Sequence, residues 1–191
     1  MPLLVDPALP EGTLRSISQP PLAADHLTLR PWRAADADAV RSAFGCPDIQ
    51  RWHVRRLDDR AETAEWIDQW AARWTAETAA SWAVTDEADQ VLGQVGLRTI
   101  SLPESTASVS YWVVPGARGR SVAARAADAL TRWAFGEIGF HRLAIQHSTA
   151  NTASCRVAVR AGYSLEGTLR QAIKHADGWH DWHLHGRLRT D

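Results

Sequence analysis

The chain has 191 residues, a formal net charge of −1 and a hydrophobic fraction of 45%, which suits one domain with a proper core. That near-neutral balance offers no basic field for nucleic acid or a membrane surface, and no run of about 18 apolar residues supplies a spanning helix. Cys46 and Cys155 fall in different expected elements and set no disulfide framework, and the absence of a basic-then-apolar leader makes the cytoplasm the expected location. Residues 1–24 hold five of the nine prolines and no clear periodicity, so an extended, partly disordered N-terminal arm is expected before a single domain over 25–191.

His26-Leu27-Thr28-Leu29-Arg30 alternates and reads as the first strand, stopped by Pro31. Asp36 is placed to cap a short helix through about Ala43, which Cys46-Pro47-Asp48 breaks. A helix is predicted from about Arg60 to Glu77, opened by Asp59 with Glu62 in a capping-box pattern. Trp66, Trp70 and Trp74 recur at every fourth position on it, a stripe for packing against a sheet, for walling an acceptor pocket or for a dimer interface. Ser81–Thr85 and Val91–Ile100 read as strands around the polar turn Asp86-Glu87-Ala88-Asp89.

The richest stretch follows. Val109 to Val114 is a β-branched and aromatic strand ended by Pro115. The turn Gly116-Ala117-Arg118-Gly119-Arg120-Ser121 leads directly into an Ala-rich helix from about Val122 to Glu137. A helix N-terminus carries unpaired N–H groups and the positive end of a dipole, so this junction suits a phosphate, with Arg118 and Arg120 adding charge. Arg142 to Gln146 is a fifth strand, Asn151 caps a helix to about Ala161, and Gly162 stops it. Tyr163–Lys174 and Trp179–Leu188 form a closing hairpin around Ala176-Asp177-Gly178.

This order of elements, with Leu29-Arg30-Pro31, Val109 to Trp112, Arg118-Gly119-Arg120, Asn151-x-x-Ser154 and Ala161-Gly162-Tyr163 before Glu166-Gly167-x-Leu169-Arg170, resembles the GNAT superfamily of acyl-CoA-dependent N-acyltransferases. Within it, the chain resembles the RimJ/RimL-like branch that acetylates ribosomal-protein N-termini. The resemblance implies an α+β fold: a mostly antiparallel sheet of six or seven strands, splayed between the fourth and fifth and flanked by about four helices. It implies acetyl-CoA or another acyl-CoA as co-substrate, and direct attack by a primary amine of a protein N-terminus or a small molecule. Succinyl transfer, with Arg98 or His175 as the acyl-pocket cation, and a catalytically degenerate acyl-CoA-binding module are the alternatives.

The same resemblance assigns roles. Backbone groups of Trp112, Val113 and Val114 would pair with the pantetheine arm, the Val113 N–H serving as oxyanion donor. N–H groups from Gly119 through Arg120, Ser121, Val122 and Ala123 would cradle the pyrophosphate beside Arg118. The family usually has Gly where this chain has Ser121. Ser154 is the expected proton donor to the CoA thiolate, with Asn151 as a CoA or local backbone contact. The acids that relatives place at Ser108 or Ile173 are missing, so His175 or His147 is nominated as base.

His175, His180, His183 and His185 crowd the C-terminal hairpin. His183 and His185 share a strand face while His180 points the other way, and the spacing matches no common zinc pattern, so no metal is expected. A bacterial source is consistent with the Arg-biased positive charge, in which Lys174 is the one lysine. The expected partners are acyl-CoA, an amine and a second copy in a homodimer, with no nucleic acid and no membrane.

Overall fold

The computed structural model describes residues 4–53 and 55–191. Eight strands form one sheet in the order β1-β2-β3-β4-β5-β6-β8-β7. They are β1 (Leu22–Ala24), β2 (Leu27–Pro31), β3 (Ala80–Thr85), β4 (Val91–Ser101), β5 (Thr106–Val113), β6 (Arg142–Ser148), β7 (Ser164–His175) and β8 (Gly178–Leu188). The helices are α1 (Ala37–Phe44), α2 (Pro47–Gln50), α3 (Arg60–Thr75), α4 (Val122–Trp133) and α5 (Thr152–Arg160). The α+β class stands as expected. The two extra elements, β1 and α2, are three and four residues long, too short to leave a periodicity in sequence.

Every strand pair is antiparallel except β5–β6. The parallel ladder runs from Thr106↔Arg142 to Val109↔Ile145 and ends there, although β5 continues to Val113 and β6 to Ser148. The two strands therefore part at their C-terminal ends and leave backbone N–H and C=O groups without a ladder partner. This opening is the one feature of the fold on which the site depends.

Alternation along β5 divides the core. Val109, Tyr111 and Val113 join the cluster that carries α4, whereas Trp112 joins a second cluster with α1 and α3. In the second cluster Trp66 meets Trp32 edge-on at 5.1 Å and Phe44 at 5.4 Å. Trp74 instead reaches Trp82, at 6.0 Å. The tryptophan stripe is thus wholly committed to packing, with Trp66, Trp70 and Trp74 at most 8% exposed, so it forms neither a pocket wall nor a dimer face. At the start of α3, Asp59 caps the Glu62 N–H (2.8 Å), and the Glu62 carboxylate returns to Asp58 N rather than to Asp59 N.

Asp36 does not cap α1 with its side chain. Its carboxylate takes both ends of the buried Arg30 guanidinium, each at 2.8 Å, and the Arg33 N–H at 2.9 Å. A buried Arg needs a bidentate acceptor more than an exposed helix end needs a cap. Described residues of the expected N-terminal arm are likewise engaged, with residues 1–3 outside the described range. Leu14 is fully buried and Glu77 accepts the N–H groups of Gly12 and Leu14 at 2.8 and 2.6 Å. Trp74 and Trp82 donate their indole N–H groups to the carbonyls of Ile17 and Pro20. Indole donors on α3 and β3 therefore hold chain that composition alone reads as loose.

Candidate active site

A cavity of about 700 Å³ occupies the opening between β5 and β6. Its walls are Val109 to Val113 of β5, Ile145 to Ser148 of β6, the N-terminal turns of α4 and α5, and Trp52 with Trp182. Of the expected site residues, Trp112, Val113, Arg118, Gly119, Ser121, Val122, Ala123, Asn151, Ser154 and His175 line it, as does His147. Val114 and Arg120 do not.

Ladder geometry says which β5 groups face the opening. Val114 N–H donates to Leu92 O at 2.9 Å, so Val114 is committed to β4. Alternation turns the Trp112 backbone to β4 as well, opposite Gln94, and turns the Val113 N–H toward the gap. Of the three backbone positions expected to face the arm of a ligand, only Val113 does so. Its carbonyl accepts from Arg118 Nε at 3.3 Å.

At the other end of the cavity lies the start of α4. Gly119 has φ +75° with open space around its missing Cβ, and Ser121 is a left-handed N-cap at φ +57°. The sequence puts a serine where the backbone takes the conformation that glycine adopts without cost. Ser121 makes no side-chain cap; its hydroxyl accepts from Arg160 at 3.3 Å. The first N–H groups of α4 thus face the cavity without an intrahelical partner. Arg118 forms an exposed 2.6 Å ion pair with Asp48. Arg156 and Arg160, one turn apart on α5, also line the cavity; the spacing of four between them puts both on one helix face.

Near the β5–α5 contact the Tyr111 hydroxyl lies 2.7 Å from Ser154 Oγ and 3.2 Å from Ser154 O. Asn151 Oδ1 accepts the Ser154 N–H at 3.0 Å, capping α5 and fixing the serine. Burial pushes the Tyr111 phenol well above its ordinary range, against the Ser154 hydroxyl that partly offsets it, so Tyr111 stays protonated. Sequence reading named Ser154 and overlooked Tyr111, which is indistinguishable there from a core aromatic of the strand.

His175 is buried, with no hydrogen-bond partner for either ring nitrogen. Its ring meets Trp52 at 5.5 Å and His180 at 4.9 Å. Burial, then His180, lowers its pKa from the usual histidine value, so it is neutral near pH 7 and holds a free lone pair. His53, against Phe44 at 4.9 Å, is pushed down to about 4 by burial and then by Arg98. Ser108 pairs with Thr99 outside the cavity. Arg98, the other residue nominated for an acyl carboxylate, is spent on the Ala80 and Leu97 carbonyls and lies over the Trp70 ring at 4.4 Å. It does not reach the cavity.

His147 does not hydrogen-bond toward the cavity's hydroxyl groups. Its Nδ1 lies 2.8 Å from Ser148 O and its Nε2 3.2 Å from His185 Nε2. His180 is 2.7 Å from Ser148 Oγ and 2.9 Å from Asp177. Among the described residues no helix is long and apolar enough to cross a membrane.

Comparison with known proteins converges on one family. The acetyltransferase (GNAT) domain family matches residues 26–164. The uncharacterized N-acetyltransferase YoaA of Bacillus subtilis (strain 168) is 23% identical over 154 residues, spanning 80% of this chain and 87% of that protein. The ribosomal-protein-serine acetyltransferase of Escherichia coli (strain K12) is 29% identical over 100 residues, 52% of this chain and 56% of its own. Among solved structures, RimL, a ribosomal alpha-N-protein acetyltransferase in complex with coenzyme A, superposes with a TM-score of 0.83 at 18% identity, covering 88% of this chain and 98% of that one.

Proposed function

Because the chain belongs to the acetyltransferase (GNAT) family and is an N-acetyltransferase, we propose that its donor is acetyl-CoA and its acceptor a primary amine, of a protein N-terminus or a small molecule. The observation that carries this reading is the early end of the β5–β6 ladder at Val109↔Ile145. It leaves a cavity with a helix N-terminus at one end and a hydroxyl pair at the other.

The donor supplies an activated thioester. The α4 N–H groups from Val122 onward, with Arg118, bind its phosphates. The Val113 N–H, turned into the gap, donates to the thioester carbonyl oxygen as charge builds there. His175 takes a proton from the amine through its free lone pair, and Ser154, hydrogen-bonded to Tyr111, gives one to the departing sulfur. Trp52 and Trp182 line the acceptor side and limit water. Acetyl is favoured over succinyl because Arg98 lies outside the cavity and burial disfavours the charged form of His175.

Release of free CoA thiol from acetyl-CoA, followed over a panel of small amines and peptides with free N-termini, tests the reading. Amine-dependent thiol release supports it. CoA binding with no release under any acceptor class favours the acyl-CoA-binding module instead.

A further inference from the structure

A second cluster adjoins the cavity and shares only His147 with its lining. Strand register puts His147 of β6 directly opposite His183 of β8, and His185 opposite Ile145, two residues further along β8. The three imidazoles therefore share one face of the β6–β8 pair, and Cys155 of α5 covers it. One potential ligand atom from each of His147, Cys155, His183 and His185 lies within 4.8 Å of the others, the one such group among the described residues. His147 and His185 face each other through Nε2 at 3.2 Å, and Cys155 Sγ is 3.9 Å from His185 Nε2. In a tetrahedral site with zinc bonds of about 2.0–2.3 Å, neighbouring ligand atoms stand roughly 3.3–3.8 Å apart.

We propose that His147, Cys155, His183 and His185 form a metal site for a divalent transition-metal ion, zinc by its ligand set. The tautomer of His147 supports it independently. Its Nδ1 lies 2.8 Å from Ser148 O, a carbonyl that only accepts, so Nδ1 carries the hydrogen and Nε2 presents its lone pair to the cluster. A ligating imidazole anchored through its other N–H to a backbone carbonyl has this arrangement. His185 is fully buried, and Nδ1 of His183 lacks a hydrogen-bond partner. The nearby carboxylates are committed elsewhere, Glu166 to Arg142 and Asp177 to His180.

Binding releases the Cys155 thiol proton, and thiolate plus three neutral imidazoles fill all four positions. No position is left for water or substrate, so the ion clamps α5 to β6 and β8 and steadies Ser154, the neighbour of Cys155. The hairpin read by itself does not point to this site, because two of the four ligands come from β6 and α5. The proposal stands or falls independently of the acyl-transfer reading.

The test uses tag-free full-length protein, stripped with a chelator and titrated with CoCl2, then ZnCl2. The expected result is one cobalt per chain, with tetrahedral d–d bands and a near-ultraviolet thiolate charge-transfer band, both erased by zinc. Cys155→Ser removes the charge-transfer band and weakens zinc binding at least about tenfold, His183→Gln weakens it comparably, and Cys46→Ser changes neither. Loss of fold on chelation that ZnCl2 reverses also supports the site. A stripped protein with native circular dichroism that takes up no cobalt, or a Cys155→Ser protein with the unchanged cobalt spectrum, overturns it.

Discussion

The Tyr111 hydroxyl and Ser154 Oγ are 2.7 Å apart, joining the second half of β5 to the first turn of α5 across the cavity. Burial keeps the phenol protonated, so it remains a hydrogen-bond partner that orients the Ser154 hydroxyl. Ser154→Ala should lower kcat by about 10²-fold while the Kd for CoA changes far less, because Asn151 still caps the helix. Tyr111→Phe should lower kcat by a smaller factor, since the serine hydroxyl remains. Steady-state kinetics beside CoA titration separate the two effects; equal losses in both quantities would make the Ser154 hydroxyl only a structural link to Tyr111.

Ser121 occupies a left-handed backbone position at φ +57°, a conformation costing a non-glycine residue roughly 1–2 kcal/mol. Ser121→Gly removes a side chain whose hydroxyl accepts an exposed hydrogen bond from Arg160. Glycine's freer unfolded state offsets part of the gain. The expected net effect is a stabilisation of about 1 kcal/mol, read as a raised denaturation midpoint, with unchanged or tighter CoA binding.

Arg118 is shared between the cavity and Asp48, at 2.6 Å. Asp48→Asn should release the guanidinium and tighten CoA binding a few-fold at low salt, the gain fading as salt rises. Arg118→Ala should raise the CoA Kd about tenfold. Titrations at two ionic strengths check both.

Histidine protonation sets two pH dependences. As base, His175 must be neutral, and its pKa is lowered below 6.5. The rate should therefore climb through an acid limb below pH 6.5 and stay flat near neutrality, a limb absent in His175→Gln. For stability, the His53 pKa falls from 6.5 in the unfolded chain to about 4 in the native one. Between those values the unfolded state binds the extra proton, so stability is full above pH 6.5 and declines as pH falls toward 4. His53→Phe should flatten that decline in denaturant titrations at successive pH values.

Arg30 and Asp36 form a buried bidentate pair, extended to Asp89 at 2.6 Å. Asp36→Asn leaves the guanidinium without its main counterion and should cost about 3–5 kcal/mol, measured by chemical denaturation.

How much the sequence disclosed depended on the range of the interaction. The α5 boundaries were legible because Asn151 and Gly162 act on their own neighbours: a side-chain cap at 3.0 Å and a left-handed stop at φ +79°. The α4 turn was legible for the same reason. Asp36 was misread as a side-chain cap because Arg30 becomes its partner only once β2 is buried. The roles of Tyr111 and of Cys155, whose Sγ approaches His185 at 3.9 Å, were invisible, since each depends on which face of β5, β8 or α5 meets another element. The tryptophan stripe was legible as a face, but what it faces is decided by Phe44, Trp32 and Trp82, which lie elsewhere in the chain.

The most direct test of the central claim is calorimetric titration of the purified protein with CoA, acetyl-CoA and succinyl-CoA. The β5–β6 cavity predicts saturable binding of CoA and acetyl-CoA at one site per chain, weakened by Arg118→Ala, with no preference for succinyl-CoA. No binding of any of the three at millimolar concentration, with the fold intact, would contradict it.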